Sequence, residues 1–187
     1  MANLWVTAEE FDAADGVYST GYGPKRDRDV THERTVVFVR PDYWVVVDRL
    51  HATQRHRYDV LWHLNNDAAR QDPETLTAWG ADSGVANLLV APAAVDGLEL
   101  EIVKGRDDPV LGFAPARKKN PIPVLDYRLA ADGPVTLAWA LVPFRGSRPA
   151  CDIAIEERGK GTVVSVKSED GTDYVFLAPR GETAATT

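Results

Sequence analysis

The sequence predicts an all-β protein, an antiparallel β-sandwich of about 9–12 strands. Short runs of strand-forming composition recur along the 187 residues, and Asp-Gly pairs such as Asp96-Gly97 and Asp170-Gly171 separate several of them. These pairs supply the positive φ angles that tight hairpins need, and many short strands with such punctuation are typical of a sandwich. The clearest runs are Arg34–Arg40, Tyr43–Leu50, Arg55–Leu64, Val85–Ala91, Leu98–Lys104, Val135–Pro143, Cys151–Glu156, Thr162–Ser168 and Asp173–Ala178.

The chain length fits one domain over residues 1–180. Residues 1–30 are expected to form a lead-in strand and loop, and residues 181–187 a frayed tail. The stretches Gly21–Asp29 and Arg106–Pro123 are expected to be exposed loops.

The first three strong runs can be given a register if Pro41-Asp42 and His51–Gln54 close two hairpins. Phe38 then faces Val45, and Val45 in turn faces Val60. The face that contains these residues is predicted to form the core. It comprises Val36, Phe38, Tyr43, Val45, Val47, Tyr58, Val60 and Trp62.

The opposite face of the same predicted sheet is too apolar for a surface in water. We expect it to be covered, either by a third layer or a loop of this chain or by a partner subunit or another part of a parent enzyme. Trp44, Val46 and Leu61 are the expected contact, and Asp48 is predicted to pair with Arg57 across the strands. This face comprises Val37, Val39, Trp44, Val46 and Leu61.

Composition narrows the functional classes. A net charge of −7 argues against general nucleic-acid binding and against binding to anionic membranes, although it leaves an acidic sugar possible through local basic patches. No run approaches the roughly 20 apolar residues of a membrane-spanning helix, and the first residues encode no signal peptide. The single cysteine, Cys151, excludes an internal disulfide or a cysteine zinc cluster. None of this indicates a compartment.

Three residues have side chains that suit zinc, namely His32, Asp48 and His63. The predicted register separates them, with His63 opposite Asp42, so hydrogen bonding within the sheet is the favoured interpretation. The sequence therefore predicts no metal and no cofactor.

Candidate glycan contacts fall into two chemical groups, each with a plainer alternative. Basic groups that suit a carboxylate occur at His51, His56 and Arg57 and again at Arg117, Lys118 and Lys119, where solvated turns are the alternative. Trp44 and Trp79 offer faces for sugar stacking, whereas Trp62 and Trp139 are in phase with core positions.

No catalytic residue is predicted. The sequence has no Gly-x-Ser-x-Gly elbow and no phosphate-binding glycine loop, and Cys151 has no recognisable partner. No pair of carboxylates can be nominated as an acid and a nucleophile.

Residues 20–65 carry an ordered set of short motifs, joined by a later segment, Pro121–Gly146. The motifs are Gly21-Tyr22, His32-Glu33-Arg34, Val36–Val39, the aromatic-rich run Tyr43–Asp48, and Trp62-His63-Leu64. This pattern resembles the C-terminal β-sandwich region of the heparinase II/III-like polysaccharide lyases.

The resemblance implies a domain that follows a helical toroid in a bacterial enzyme, often periplasmic or secreted. Such lyases cleave glycosaminoglycans or alginate by β-elimination: a base removes the proton α to the uronate carboxyl group, the enolate is stabilised, and the leaving oxygen is protonated. The implied partners are an acidic polysaccharide and the toroid of a parent chain or a second subunit.

The chain also departs from the family pattern, since it has no His-x-His motif, no His-Asn-Thr motif and no helical segment of toroid size. We therefore expect a supporting domain without elimination activity of its own, in which His32, Arg34, Asp48 and His63 hold the sandwich together. Two alternatives stay open. One is a stand-alone carbohydrate-binding module, and the other is a free-standing lyase centred on His51, His56, Arg57 and Tyr58.

Overall fold

The computed structural model describes residues 4–23, 25–115 and 117–178, with only the backbone described for residues 117–119. All regular structure in these ranges is β-strand, which confirms the predicted all-β antiparallel sandwich. Eleven of the 18 strands found there have six residues or more. The strands are β1 (Leu4–Thr7), β2 (Phe11–Tyr18), β3 (Thr31–Val39), β4 (Tyr43–His51), β5 (Arg55–His63), β6 (Ala69–Gln71), β7 (Ala78–Gly80), β8 (Asn87–Pro92), β9 (Glu99–Lys104), β10 (Arg106–Asp107), β11 (Val110–Leu111), β12 (Phe113–Ala114), β13 (Arg117–Pro121), β14 (Pro123–Asp132), β15 (Val135–Phe144), β16 (Asp152–Arg158), β17 (Gly161–Lys167) and β18 (Thr172–Leu177).

Three antiparallel sheets build the fold. The middle sheet has eight strands in the order β1-β2-β3-β4-β15-β8-β7-β6. A front sheet of β5-β14-β9 packs on one of its faces and a back sheet of β16-β17-β18 on the other. Within the described ranges, no helix is long and apolar enough to cross a membrane.

The front core lies between the middle and front sheets and is centred on Trp139 of β15. This side chain is fully buried, and its ring meets Tyr127 of β14 edge-on at 4.7 Å between centroids and Trp62 of β5 at 5.9 Å. Tyr127 alternates along β14 with polar residues, so the period of two turns it inward together with Leu125 and Leu129.

The back core lies between the middle and back sheets. Val45 and Val47 of β4 and Ala140 of β15 meet Ile153 and Val164 there, and all five are buried. The back sheet is thus the third layer that covers the second apolar face of the middle sheet. The cover comes from this chain itself.

The predicted register of the first hairpin is wrong by one residue. Its turn holds three residues, Arg40–Asp42, so Phe38 pairs with Trp44 and not with Val45. Because side chains alternate with period two, a slip of one residue exchanges the faces. Val45 consequently faces the back core, whereas Val46 faces the front core.

The second predicted hairpin does not form, because β4 and β5 belong to different sheets. The three residues between them carry the chain from the middle sheet to the front sheet, and β5 pairs with β14. The predicted Asp48–Arg57 pair is therefore wrong, since Arg57 lies opposite Ala130. The expected surface of Trp44, Val46 and Leu61 is also absent, because Val46 is buried and Leu61 is on the outer face of the front sheet.

Two further segments differ from expectation. The stretch Arg106–Pro123, predicted as a loop, contains the short strands β10–β13. The strand β14 was absent from the predicted runs although it is the central strand of the front sheet.

The proposed division at residue 180 stays a prediction, because residues 179–187 lie outside the described ranges.

The buried side-chain amide of Asn66 holds the end of the middle sheet in place next to Gly80. The side chain of Asn66 donates from Nδ2 to Oδ1 of Asn87 at 2.9 Å and to Oδ2 of Asp82 at 3.2 Å. Asp82 also accepts from the backbone N–H of Asp67 and Ala68, which ties the segment after β5 to the turn before β8. A Cβ at Gly80 would lie 2.5 Å from Oδ1 of Asn66.

We expect Gly80→Ala to lower the free energy of unfolding by about 1–3 kcal/mol, because the added methyl group displaces a hydrogen-bonded buried amide. Urea denaturation measures the change. In an Asn66→Ala background, where the clash is relieved, the same substitution should cost clearly less. Equal costs in the two backgrounds would contradict this account of Gly80.

Candidate functional site

A groove of about 410 Å³ lies on the front face of the middle sheet, where β2 and β3 extend past the front sheet. Strand pairing sets Ala14 opposite Val36 and Gly16 opposite Arg34, so small side chains form the floor. Trp5 of β1 is paired with Ala14 and is 72% exposed. The lining residues are Ala14, Asp15, Gly16, Val17, Tyr18, His32, Arg34 and Val36.

Asp48 lies below this groove and is its deepest polar group, with 1% of its surface exposed. Its carboxylate accepts hydrogen bonds from Arg34 through Nε at 2.6 Å and Nη2 at 2.9 Å. It also accepts from His32 Nε2 at 2.6 Å and from Trp139 Nε1 at 3.2 Å. Burial by itself raises the pKa of Asp48, but the hydrogen bonds from His32 and Arg34 outweigh it and hold the pKa below its ordinary value.

His32 connects this buried carboxylate to the groove. Nε2 lies 2.6 Å from the Asp48 carboxylate, and Nδ1 lies 2.9 Å from the Tyr22 hydroxyl; with the ring proton on Nε2, Nδ1 accepts a hydrogen bond from that hydroxyl. Burial is the main factor that raises the pKa of Tyr22; neighbouring Tyr18 adds to it and Arg34 opposes it. Tyr22 remains 41% exposed. The hydrogen-bonded series Asp48–His32–Tyr22 thus leads from the core to solvent.

Arg34 is the cation that the groove presents. Its guanidinium is held along one edge by Asp48, and its carbon Cζ lies 5.7 Å from the ring centre of Trp62. The side chain is still 41% exposed. A guanidinium fixed in this way is suited to bind a carboxylate or sulfate group without losing further side-chain freedom.

Of the four family-matching residues, the structure brings three together. His32, Arg34 and Asp48 form the cluster just described, whereas His63 is exposed at the end of β5, opposite Val124. No group of three metal-ligating side chains lies together in the residues that the structure describes. That these residues hold the sandwich together stays a prediction.

The histidines and arginine near the β4–β5 connection do not share one patch. His51 lies 3.7 Å from Glu33, and Arg57 pairs with Asp59 at 2.9 Å on the outer face of the front sheet. His56 contacts Asp29 at 2.8 Å. The rings of His56 and Tyr58 are neighbours, with 6.2 Å between their centres, whereas Arg57 is on the opposite face of β5. The alternative lyase site that included these residues stays a prediction.

Asp29 fastens the loop before β3 to the connection between β4 and β5. Its carboxylate accepts from the backbone N–H of Thr53 at 3.1 Å and of Gln54 at 3.0 Å, from the Thr53 hydroxyl, and from His56. The hydrogen bonds from Thr53 and then His56 lower the pKa of Asp29 from 3.8 to about 2.

Both tryptophan candidates have one ring face occupied. Trp44 stacks on Phe38 with 4.6 Å between the ring centres, and the guanidinium of Arg148 lies 4.6 Å above Trp79. Trp5, which the sequence left unplaced, is the exposed tryptophan on the groove side of the sheet.

The remaining candidates are Arg117, Lys118 and Lys119, whose side chains lie outside the described structure although their backbone forms part of β13. Sequence reasoning missed the contact of Tyr22 with His32. The Gly21-Tyr22 motif was visible, but ten residues of loop and strand separate Tyr22 from its partner.

Asp48→Asn should lower the free energy of unfolding by about 2–4 kcal/mol, because it leaves the Arg34 charge without its buried partner while Arg34 keeps some contact with water. Asp59→Asn, which breaks the exposed pair with Arg57, is the matched control and should cost less than about 1 kcal/mol. Urea denaturation of both variants measures the difference. Similar losses for the two would show that the Asp48 cluster is not a stabilising centre.

The lowered pKa of Asp29 gives a pH dependence with a defined sign. A carboxyl group whose pKa is 3.8 when unfolded and about 2 when folded stabilises the folded state above pH 3.8 and loses this contribution as the pH falls toward 2. The stability difference between the wild type and Asp29→Asn should therefore be constant near neutral pH and shrink below pH 3.8. Denaturation curves over this range test it, and a difference that does not change with pH would contradict the assigned contacts.

Two solved structures illustrate the shared fold. A mutant of heparan sulfate lyase HepC from Pedobacter heparinus superposes with a TM-score of 0.77 at 17% identity, over 97% of this chain and 28% of the lyase. A heparinase III gives a TM-score of 0.75 at 15% identity, over 95% of this chain and 27% of that protein. This chain thus spans about a quarter of the length of these enzymes. No curated protein sequence matches it.

Sequence comparison with family models identifies the domain. The model described as heparinase II/III-like, C-terminal, matches residues 3–175, nearly the whole described structure. The resemblance carried by the motifs of residues 20–65 is confirmed by this match and by the shared fold. The chain belongs to the heparinase II/III-like family and corresponds to its C-terminal domain.

Proposed function

We propose that this domain forms one wall of the substrate cleft of a polysaccharide lyase and binds an acidic, uronate-containing polysaccharide in the groove over β2 and β3. The observation that carries the proposal is the half-exposed Arg34, held by a buried carboxylate at the edge of an open groove. The names of the similar structures, a heparan sulfate lyase and a heparinase III, support this substrate class.

The groove suits a sugar chain in shape as well as in charge. Its floor of Ala14, Gly16 and Val36 leaves room for a ring, and Tyr18 and Trp5 offer aromatic surface on the same face. Aromatic rings pack against the apolar faces of pyranoses, and a fixed guanidinium pairs with carboxylates. The two properties together favour an acidic sugar over a neutral one.

We propose that the partner of this domain is the helical toroid of a parent chain or a second subunit. The edge strand β1 exposes Leu4 (57%) and Val6 (37%), which alternate with Trp5 and so lie on the face opposite the groove. An edge strand of this kind is a favourable surface for an interdomain contact. This surface replaces the expected contact at Trp44, Val46 and Leu61.

In such an enzyme the residues of this domain would bind and orient. β-Elimination develops negative charge on the uronate carboxyl group when the α proton is removed, and a guanidinium facing that group would stabilise it. We propose Arg34 for this role, which is supported by the two hydrogen bonds that hold its side chain to Asp48. We propose that the acid and base are supplied from outside this domain, so that the domain alone releases no product.

Filling the groove tests the proposal. Ala14→Trp places a large side chain on the groove floor, and we expect it to weaken binding of heparan sulfate or alginate oligosaccharides by at least about tenfold, the loss of roughly 1.4 kcal/mol of contact. Calorimetric titration measures the affinity, and ultraviolet absorbance in the same samples records any unsaturated uronate product.

Ser165→Trp, on the outer face of the back sheet, adds the same side chain away from the groove and is the control. It should bind as the wild type does, and both variants should retain the thermal stability of the wild type. Equal affinity of Ala14→Trp and the wild type would rule out the groove as the binding site. Product formation by the chain alone would show that it contains its own acid and base, and binding without product is the expected result.

A further inference from the structure

A short hairpin at one end of the groove concentrates positive charge. Tyr22 and Asp27 pair across it through two backbone hydrogen bonds of 2.8 and 2.9 Å, and Arg26 N–H donates to the carbonyl of Gly23 at 3.1 Å. It presents Lys25, Arg26 and Arg28, all exposed, within four residues. We call the described residues 22, 23 and 25–28 the basic hairpin.

These three cations form no ion pair with another described residue. Exposed arginines of the front sheet behave differently, because Arg55 pairs with Asp132 and Arg57 with Asp59. The acidic groups closest in sequence are already engaged, since Asp27 accepts from the N–H of Asp29 and Asp29 binds the β4–β5 connection. The basic hairpin is therefore locally cationic in a chain whose net charge is −7.

The hairpin is fixed against the groove. The Tyr22 ring meets the groove residue Tyr18 edge-on at 5.0 Å, and its hydroxyl contacts His32, another lining residue. Gly21 allows the close approach, because its φ is 103° and a Cβ there would lie 2.5 Å from the carbonyl oxygen of Arg26. Through Tyr22, the basic hairpin therefore adjoins the groove at Tyr18 and His32.

We infer that the basic hairpin is an anion-binding subsite that receives carboxylate or sulfate groups of an acidic polysaccharide lying in the groove. The inference rests on the proposed function and extends it, because it adds a second charged contact beyond Arg34. Three exposed cations lie within the four residues Lys25–Arg28, so we expect the subsite to contact more than one anionic group of a linear chain.

A polysaccharide fits this arrangement better than another polyanion does. The cations adjoin a groove with a floor of small side chains and aromatic residues, which suits a single sugar chain. The overall negative charge of the protein opposes a broad contact with duplex nucleic acid or an anionic membrane. Binding is thus expected to depend on the groove and the hairpin together.

The test removes the three charges without disturbing the backbone. In a triple variant, Lys25→Gln and Arg28→Gln remove charge alone, and Arg26→Asn is chosen because Arg26 has a φ of 50°, a conformation that asparagine tolerates well. We expect the affinity for a heparan sulfate oligosaccharide to fall roughly 10- to 30-fold, in line with two- to threefold per exposed charge pair. The dependence of affinity on salt concentration should become shallower, because fewer ions are exchanged on binding.

A second triple variant is the matched control. Arg70→Gln, Arg145→Gln and Lys167→Gln remove three exposed charges from other parts of the structure, with Arg70 on β6, the edge of the middle sheet opposite β1. Its affinity should stay within about twofold of the wild type. An equal loss in both variants would mean that only net charge matters, and the subsite would be refuted.

Other outcomes separate this inference from the proposed function. If Ala14→Trp abolishes binding while the hairpin variant binds as the wild type does, the groove binds the sugar and the hairpin is not a subsite. If the wild type binds none of the acidic glycans, both proposals fail. If duplex DNA or inorganic polyphosphate binds as tightly as heparan sulfate, the hairpin is a general polyanion contact and the assignment to a polysaccharide is wrong.

Discussion

The buried carboxylate of Asp48 is the constraint on which the groove depends. An isolated charge in this position would be prohibitively costly, and the fold keeps it ionised by surrounding it with three donor residues from two strands: Arg34 and His32 of β3 and Trp139 of β15. The same contacts that stabilise the carboxylate orient the groove. Arg34 cannot rotate away without leaving the charge unpaired, and His32 must turn Nδ1 toward Tyr22.

This arrangement requires a middle sheet that is covered on both faces. Asp48 is on the front face of β4, between Val46 and Leu50, while its neighbour Val47 packs against the back sheet. Because apolar residues cover both faces of β4, little water reaches the Asp48 carboxylate, and the hydrogen bonds of this carboxylate are strong. Only where β2 and β3 extend past the front sheet does the polar cluster reach solvent, and that opening is the groove.

The fold class could be predicted because composition and turn signals act locally, but the pairing of strands could not. In the sequence, the three-residue turn Arg40–Asp42 cannot be distinguished from a two-residue turn. The one extra residue exchanges the two faces of β4. The chain between His51 and Arg55 resembles a hairpin turn, yet it crosses between sheets. At the candidate site, the sequence motifs included Arg34 and Asp48, but the wrong strand pairing predicted Arg57 as the partner of Asp48.

Charge distribution explains how an acidic protein can offer a site for an acidic ligand. On the front sheet, Arg57 and Arg128 are neutralised by neighbouring carboxylates. At the groove the balance is reversed, because Asp48 is buried beneath Arg34 and the carboxylate of Asp29 is occupied by backbone donors and His56. With these two carboxylates turned inward, the exposed cations Lys25, Arg26 and Arg28 are accessible near the groove beside Asp15 and Asp27. The net charge of the chain thus says little about its ligand; the depth at which each carboxylate lies decides what the groove attracts.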